Sequence, residues 1–196
     1  MDYELFLPAL ISFAISVILS PIIIPFLRKL KFGQYIRQEG PNWHKIKSGT
    51  PTMGGLIILI SVVITTILFI KDNNEVIPVL FTTLSFGIIG FLDDYIKIVL
   101  KRNLGLKVWQ KLLAQIIVAG VFSCYVILYT DVGTDIVLPF VGRTIELGKL
   151  FIFFVIIVLL GTSNGVNFTD GLDGLAASIT ALVATFFTVA AIFVKS

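Results

Sequence analysis

Long apolar runs separated by short polar segments form the dominant pattern of this chain. Six runs contain no charged residue, and each is close to the length, about 17 to 25 residues, that crosses the hydrocarbon core of a bilayer as a helix. The pattern therefore predicts an all-α integral membrane protein whose 196 residues form a single polytopic membrane domain. The predicted transmembrane spans are residues 5–27, 53–70, 76–92, 112–130, 150–169 and 174–194.

Two of these runs contain residues that disturb a helix. Pro21 in the first run predicts a kink or an early end, because proline removes a backbone hydrogen bond and clashes with the preceding turn. The fifth run carries "GTSNG" at residues 161–165, where two glycines and an asparagine favour an exit from the helix. We expect the backbone to depart from a straight helix at both places.

Composition agrees with a membrane location and excludes an ordinary soluble domain. The chain is 57% hydrophobic and 14% charged, whereas soluble domains carry about 25% charged residues. In a soluble protein the pI of about 9.0 and the net charge of +3 would suggest a nucleic-acid partner. In a membrane protein they are accounted for by basic cytoplasmic loops, so no nucleic-acid partner is predicted.

Basic residues are divided unequally between the two sets of loops. Eleven of the fifteen Lys and Arg residues lie between the first and second spans or between the third and fourth. The positive-inside rule makes these loops cytoplasmic, and the N-terminus is then outside. Residues 164–173 fall on the cytoplasmic side as well, because the spans alternate in direction, although this segment contains no Lys or Arg.

An acidic pair, Asp93 and Asp94 in "FLDDY", follows the third predicted span. Adjacent carboxylates raise the cost of ionising each other, so they are tolerated near a divalent cation or basic groups. The pair could bind Mg²⁺, or one of its members could act as a general base. A water-exposed helix end is the alternative interpretation.

A second polar motif, "NFTDGLDGLA", joins the fifth and sixth predicted spans. Four of the polar residues in this region recur at intervals of three, namely Asn164, Asn167, Asp170 and Asp173. Capping of the sixth helix by Asp170 or Thr169, with Asp173 in its first turn, is the structural alternative. Because capping accounts for one or two of these residues and not for four, a ligand site is the preferred interpretation.

Basic residues complete the cytoplasmic face. "HKIKSGTPTMGG", residues 44–55, places lysines before glycines whose backbone N–H groups could bind a phosphate at a helix N-terminus, unless the loop only touches anionic lipid. "YIKIVLKRNLGLKVWQK", residues 95–111, alternates lysines with apolar residues and could lie along the membrane surface. Carboxylates for a metal and lysines for phosphates together predict Mg²⁺-assisted phosphoryl chemistry on a lipid headgroup.

These motifs also resemble those of a known family. "EGPNWHKIKSGTPTMGG", "GFLDDYIK", "NLGLKVWQKLL" and "SNGVNFTDGLDGLA" follow one another in this order, and on them the whole chain resembles the phospho-N-acetylmuramoyl-pentapeptide-transferase family. The wider polyprenyl-phosphate N-acetylhexosamine-1-phosphate transferase superfamily shares the Asp pair and a looser Asn/Asp motif. The wordings "GTPTMGG" and "TDGLDGLA" favour the first of these groups.

The resemblance implies a reaction and its participants. Phospho-MurNAc-pentapeptide would pass from UDP-MurNAc-pentapeptide to undecaprenyl phosphate, giving lipid I and UMP in peptidoglycan synthesis, with Mg²⁺ as cofactor. Transfer in one step and transfer through a covalent aspartyl intermediate are both open. The implied location is the bacterial cytoplasmic membrane, with the active site on its cytoplasmic face, and a homodimer is also open.

The resemblance further implies roles for single residues. Asp93 would deprotonate or directly assist the lipid phosphate, and Asp94 would support the metal and phosphate site. The implied catalytic residues are Asp93, Asp94, Asn167 and Asp170, and the implied metal ligands are Asp93, Asp94 and Asp170. The implied substrate-binding residues are Lys47, Thr52, Lys97, Lys111, Asn164 and, in a uridine pocket, Gly171, Leu172 and Asp173.

The chain departs from the family in its length. Family members have about ten spans, a further essential aspartate and a later histidine-rich motif, whereas the only histidine here is His44. We therefore expect a chain truncated at its C-terminus and inactive by itself. The remaining alternatives are a related polyprenyl-phosphate GlcNAc-1-phosphate transferase, a solute transporter and a non-catalytic membrane scaffold.

Overall fold

The computed structural model describes residues 3–29, 53–70, 75–100, 105–138, 141–170 and 174–195. In chain order the elements are α1 (Tyr3–Lys29), α2 (Gly55–Phe69), α3 (Val76–Val99), α4 (Val108–Tyr129), β1 (Asp135–Val137), β2 (Thr144–Glu146), α5 (Leu150–Thr169) and α6 (Leu175–Lys195). They fall into two compact units, Met1–Gly133 with α1 to α4 and Thr134–Ser196 with the strands, α5 and α6. The single polytopic domain stays a prediction.

Length and composition allow five of the described helices to cross a membrane. These segments are Phe6–Lys29, Val76–Val99, Val108–Tyr129, Leu150–Thr169 and Leu175–Phe193. The remaining described helix, α2, is also apolar but has only 15 residues. At about 1.5 Å per residue it is shorter than the hydrocarbon core of about 30 Å. The predicted all-α membrane fold is confirmed, with α2 as its short member.

The sequence predicted a kink or an early end of α1 at Pro21. The early end is wrong, because α1 does not end there. It continues through Pro8, Pro21 and Pro25 to Lys29. Each proline removes one backbone hydrogen bond, but leaving the helix inside hydrocarbon would expose several unpaired backbone groups. Continuing the helix is therefore the less costly arrangement.

Helix α5 also continues where an exit was expected, since "GTSNG" lies within Leu150–Thr169. The polar side chains of this segment donate to carbonyl oxygens one turn earlier instead of competing with the helix. These bonds join Thr162 Oγ1 to Val158 O (2.7 Å), Asn164 Nδ2 to Leu160 O (2.9 Å) and Thr169 Oγ1 to Gly165 O (2.7 Å). Side chains bonded in this way are satisfied without breaking the helix.

Small and polar residues form the buried helix faces of the first unit. The buried positions recur at intervals of four, as Ile57, Ser61 and Thr65 on α2 and as Gln115, Ala119 and Ser123 on α4. Such residues let membrane helices approach closely. Between α1 and α2, Ser16 Oγ donates to Ser61 Oγ at 2.9 Å, and Ser61 Oγ donates to Ile57 O at 2.7 Å. Small residues and hydroxyl groups thus hold these helices together.

The outward faces are strongly apolar, as expected of helices surrounded by lipid. Phe153 and Ile157 on α5, and Phe186 and Phe193 on α6, are all more than half exposed. In water such a surface would be an aggregation hazard, whereas in a bilayer it contacts acyl chains of the same polarity.

A short hairpin precedes α5 and was not predicted. Strands β1 and β2 pair in antiparallel register, with Asp135 opposite Glu146 and Val137 opposite Thr144. Each strand has three residues, which is too few for a polar–apolar alternation to be recognised in the sequence. The hairpin lies in the loop expected on the outer side of the membrane.

Candidate functional site

The acidic pair lies inside α3, because this helix extends to Val99 and not to residue 92 as predicted. Its last two turns carry Asp93, Asp94 and Lys97 at helical spacings of three and four, which places the side chains on neighbouring positions of one face. Lys97 places a positive charge beside the two adjacent carboxylates. A water-exposed helix end was the alternative interpretation of this pair. It is wrong for Asp93, which is buried.

Both carboxylate oxygens of Asp93 are engaged. Oδ1 accepts a hydrogen bond of 2.9 Å from the backbone N–H of Leu106, and Oδ2 lies 2.7 Å from Lys97 Nζ. The first contact comes from the segment that leads into α4, and the second from the next turn of α3. Burial of a carboxylate is costly unless it is paired and hydrogen-bonded, and both conditions are met here.

Lys97 bridges the acidic pair. Its Nζ lies 2.7 Å from Asp93 Oδ2 and 2.8 Å from Asp94 Oδ1, with about a third of the Lys97 side chain exposed. Partly exposed ion pairs of this kind contribute only about 0.2–1 kcal/mol to stability. The cluster is therefore a weak stabiliser of α3, and its accessible side offers carboxylate oxygens and an ammonium group to a ligand.

Gly105 lets the chain approach Asp93 closely. It is buried, and a Cβ atom built on it would collide with the Asp93 carboxylate and with the backbone carbonyl of the same residue. Its φ angle lies outside the left-handed region. The need for glycine at this position therefore comes from space and not from an unusual backbone conformation.

The same segment leads directly into the first turn of α4. The backbone N–H of Lys107 donates to Gln110 Oε1 at 3.1 Å, and the backbone N–H of Lys111 donates to Lys107 O at 3.1 Å. Lys111, a predicted substrate contact, is half-buried on this turn. A helix N-terminus with lysines favours anions, so this end of α4 suits phosphate groups.

The second unit carries Asn164, Asn167 and Asp170 at the end of α5. Asn164 is half-buried and bonds to Leu160 O, whereas Asn167 and Asp170 are exposed. Asp170 is the C-terminal capping residue of α5, and its backbone N–H donates to Val166 O at 3.2 Å. The regular spacing seen in the sequence thus corresponds to the last turns of one helix.

This position contradicts the capping alternative for Asp170 and Thr169. Thr169 is the last residue of α5, Asp170 follows it, and α6 begins only at Leu175. A carboxylate at a helix C-terminus is opposed by the helix dipole, by about 0.3–1 kcal/mol at an exposed position. Helix stability therefore does not account for Asp170.

Five expected site residues lie outside the described residues, namely Lys47, Thr52, Gly171, Leu172 and Asp173. Within the described ranges, no group of three or more His, Cys, Asp or Glu side chains is placed to hold a metal ion. Asp93 and Asp94 still offer hard oxygen ligands. Mg²⁺ commonly uses one or two protein carboxylates and completes its shell with water and substrate phosphates, so this donor set fits Mg²⁺.

Sequence reasoning missed Gly105 and the backbone N–H of Leu106. The motif "NLGLKVWQK" contains both residues, but only its lysines suggested chemistry. A glycine between two leucines, 11 residues after Asp94, was the available signal. This signal can be interpreted only when it is known that the chain comes back to contact Asp93.

Comparison with known proteins matches the chain to two family models. Residues 76–196 match glycosyl transferase family 4, and residues 47–59 match signature 1 of phospho-N-acetylmuramoyl-pentapeptide-transferase. The first range contains the acidic pair, Lys97, Lys111 and the polar residues at the end of α5. The second contains Lys47 and Thr52.

Curated relatives bear the same name as the signature. A phospho-N-acetylmuramoyl-pentapeptide-transferase of Bacillus subtilis is 51% identical over 186 residues, which are 93% of this chain and 57% of the relative. One from Thermoanaerobacter sp. (strain X514) is 44% identical over 196 residues, which are 100% of this chain and 61% of the relative. The chain thus spans about three-fifths of the length of these relatives.

Proposed function

Because the chain belongs to glycosyl transferase family 4, we propose that it is part of an enzyme that transfers phospho-MurNAc-pentapeptide from UDP-MurNAc-pentapeptide to undecaprenyl phosphate. The products are lipid I and UMP. The activity is proposed for the complete protein, since relatives with this activity in their names are longer than this chain. The main support for the proposal is the Asp93–Asp94–Lys97 cluster, which is buried on one side and open on the other.

In the proposed reaction an oxygen of undecaprenyl phosphate bonds to the sugar-bearing phosphorus of the UDP substrate. The bond from that phosphorus to UMP breaks, and UMP leaves. Asp93 receives the proton of the lipid phosphate or orients its oxygen, since each of its carboxylate oxygens keeps a further lone pair for a ligand. Lys97 moves part of its interaction from the carboxylates to substrate phosphate.

The cofactor of the proposed reaction is Mg²⁺. Asp93 and Asp94 would hold it, and the bound ion would neutralise phosphate charge during transfer. That Asp170 is also a metal ligand stays a prediction. The support is the chemistry of the donor set: adjacent carboxylates with an accessible side suit a hard cation that also binds phosphate.

Residues of the second unit are proposed to bind the nucleotide part of the UDP substrate. Asn167 and Asp170 would act near the pyrophosphate, and Asp173, with the backbone of Gly171 and Leu172, would contact uridine. Asn164 is proposed as a substrate contact too. The exposed carboxylate of Asp170, placed where it does not serve the helix, supports this assignment.

Lys47, Thr52 and Lys111 are proposed to bind substrate phosphates from the other cytoplasmic loops. Lys111 lies on the first turn of α4, where the helix dipole also attracts anions.

The proposed location is the bacterial cytoplasmic membrane, with the site on the cytoplasmic face. Its support is the distribution of basic residues, eleven of fifteen in two loops on one side. In intact cells, tags after Lys31 and Lys101 should be protected from an impermeant label, and tags near Asn73 and Asp135 should react. Labelling of the Lys31 tag in intact cells would contradict both the topology and the location of the site.

The experiment that tests the reaction identifies the lipid product. Membranes containing the complete protein receive undecaprenyl phosphate, Mg²⁺ and equal amounts of UDP-MurNAc-pentapeptide and UDP-GlcNAc, and the lipids are analysed by mass spectrometry. We expect the mass of lipid I and only traces of the GlcNAc product. A GlcNAc-bearing lipid as the main product would favour the related GlcNAc-1-phosphate transferase, and no new lipid would favour the scaffold.

A further inference from the structure

The contact between the segment before α4 and Asp93 is closer than helix packing alone requires. Leu106 N–H lies 2.9 Å from Asp93 Oδ1, and at Gly105 there is no room for a Cβ atom. Gly90 and Gly120, on α3 and α4, have no heavy atom within 4 Å of an added Cβ. The first unit thus accepts alanine in place of these helical glycines but not at Gly105.

We propose that Gly105 is a positioning residue, which holds the Leu106 N–H against Asp93 so that this carboxylate is fixed in one orientation for phosphoryl transfer. The inference rests on the proposed function. To the proposed function it adds a residue that contacts no substrate and acts only through Asp93.

The geometry supports positioning because the two contacts of Asp93 come from different directions. Lys97 on the same helix binds Oδ2, and a backbone donor from another segment binds Oδ1. Lys97 alone would leave the carboxylate free to turn about its own side-chain bonds, and the long lysine side chain would follow it. A backbone N–H cannot follow, so the second contact determines the orientation.

The expected consequence of a side chain at Gly105 follows directly. The Cβ of alanine would push the segment away from Asp93, and the hydrogen bond to Leu106 would lengthen or break. A displacement of about 1 Å near reacting groups can cost on the order of 100-fold in rate. The side chains proposed to bind the substrates are themselves unaltered, so the loss should appear mainly in kcat.

The first test does not need turnover. Thermal unfolding midpoints are measured for the complete protein, for Gly105→Ala, for Asp93→Ala and for the double variant, with Gly90→Ala as the matched control. Gly105→Ala should lower the midpoint in both backgrounds, because the collision with the Asp93 backbone carbonyl remains, but by a smaller amount in the Asp93→Ala background, where the carboxylate is gone. Equal losses in both backgrounds would overturn the coupling, and Gly90→Ala should stay near wild type.

The second test is kinetic and uses UMP release. Gly105→Ala should lower kcat about 10- to 100-fold, with KM values for both substrates within about threefold of wild type. Replacing Leu106 by its α-hydroxy acid, which exchanges the N–H for an ester oxygen, should lower kcat in the same way. This variant adds no atom at Gly105, so it remains decisive if Gly105→Ala fails to fold.

The outcomes separate this inference from the proposed function. Wild-type kcat in the ester variant, or a loss confined to KM, would overturn the positioning role. A wild-type protein that releases no UMP would refute the proposed function, and the unfolding measurements would then still decide whether Gly105 acts through Asp93.

Discussion

Asp93 and Asp170 are both acidic residues near helix ends, yet their surroundings differ in almost every respect. Asp93 is buried and bound by a backbone N–H and by Lys97. Asp170 is exposed at the C-terminus of α5, and among the described residues its carboxylate has no ion pair. The first carboxylate is held by its own unit, whereas the second stands where the helix dipole opposes it.

The difference shows two ways in which a membrane protein can hold a carboxylate near a helix end. Asp93 is fixed before any ligand arrives, so its orientation costs nothing at the moment of reaction. Asp170 is proposed to gain its partners from a bound ligand. Removing each charge should therefore have different effects on stability, although both removals should impair turnover.

The largest effect is expected from Asp93→Asn in the complete protein. The amide keeps an oxygen that can accept from Leu106, so the protein should still fold. It loses the negative charge, and general-base or metal roles of this kind contribute about 10²–10⁴-fold to rate. UMP release should fall by that factor while the unfolding midpoint falls by only a few degrees; near-normal turnover with Mg²⁺ present would remove Asp93 from the mechanism.

A second large effect, of the opposite sign in stability, is expected from Asp170→Ser. Removing the charge from the C-terminus of α5 should leave stability unchanged or raise it by about 0.3–1 kcal/mol. The same change should lower kcat strongly, because serine lacks the charge and the second oxygen. Unfolding and UMP release are measured on the same preparation, and a destabilised protein with normal kcat would reverse the interpretation of Asp170.

Asp173→Ser is the companion to this experiment at the proposed uridine pocket. We expect weaker binding of the UDP substrate, with a smaller loss of kcat than at Asp170. Affinity for a nucleoside inhibitor is the direct measurement. Unchanged affinity would leave Asp173 without a role in nucleotide binding.

Lys97→Met should have an intermediate effect and sharpens the description of the acidic pair. Two adjacent carboxylates would lose their shared cation, so added Mg²⁺ should raise the unfolding midpoint of this variant more than that of wild type. Turnover should fall as well. Lys107→Met, which removes an exposed lysine of the neighbouring segment and keeps its backbone N–H, is the control; an equal response of both variants to Mg²⁺ would argue against metal binding at the pair.

The smallest effect is expected from Ser61→Ala, at a polar contact that has only a structural role. Hydrogen bonds between membrane helices are worth about 0.6 kcal/mol on average, so the loss of the Ser16–Ser61 bond should lower stability by a similar amount. UMP release should remain at the wild-type level. A large kinetic defect here would show that turnover is sensitive to helix packing in general, which would weaken the kinetic arguments above.

The sequence predicted the helices well because membrane spans depend on long uncharged runs. Their ends were predicted less well. Helix α3 continues past residue 92, where Lys97 pairs with Asp93 and Asp94, and α5 continues through residues 161–165, where polar side chains bond to carbonyls of the preceding turn. Both effects depend on side-chain geometry, which residue type alone does not specify.

For the candidate site, the sequence identified the charged residues but not the backbone group that holds one of them. Asp93, Asp94 and Lys97 could be found as an acidic pair followed by a lysine at helical spacing. The contribution of Leu106 could not, because it depends on a tertiary contact across 13 residues. Any residue except proline offers a backbone N–H, so the residue type at position 106 does not indicate this role.

The central claim is that the acidic pair of α3 serves transfer between a UDP-sugar and a lipid phosphate. The most direct measurement is the rate of UMP release from UDP-MurNAc-pentapeptide by the complete protein, with undecaprenyl phosphate or Mg²⁺ omitted in turn. We predict release that requires both and that Asp93→Asn abolishes. UMP release that continues without undecaprenyl phosphate, or that Asp93→Asn leaves intact, would contradict the account.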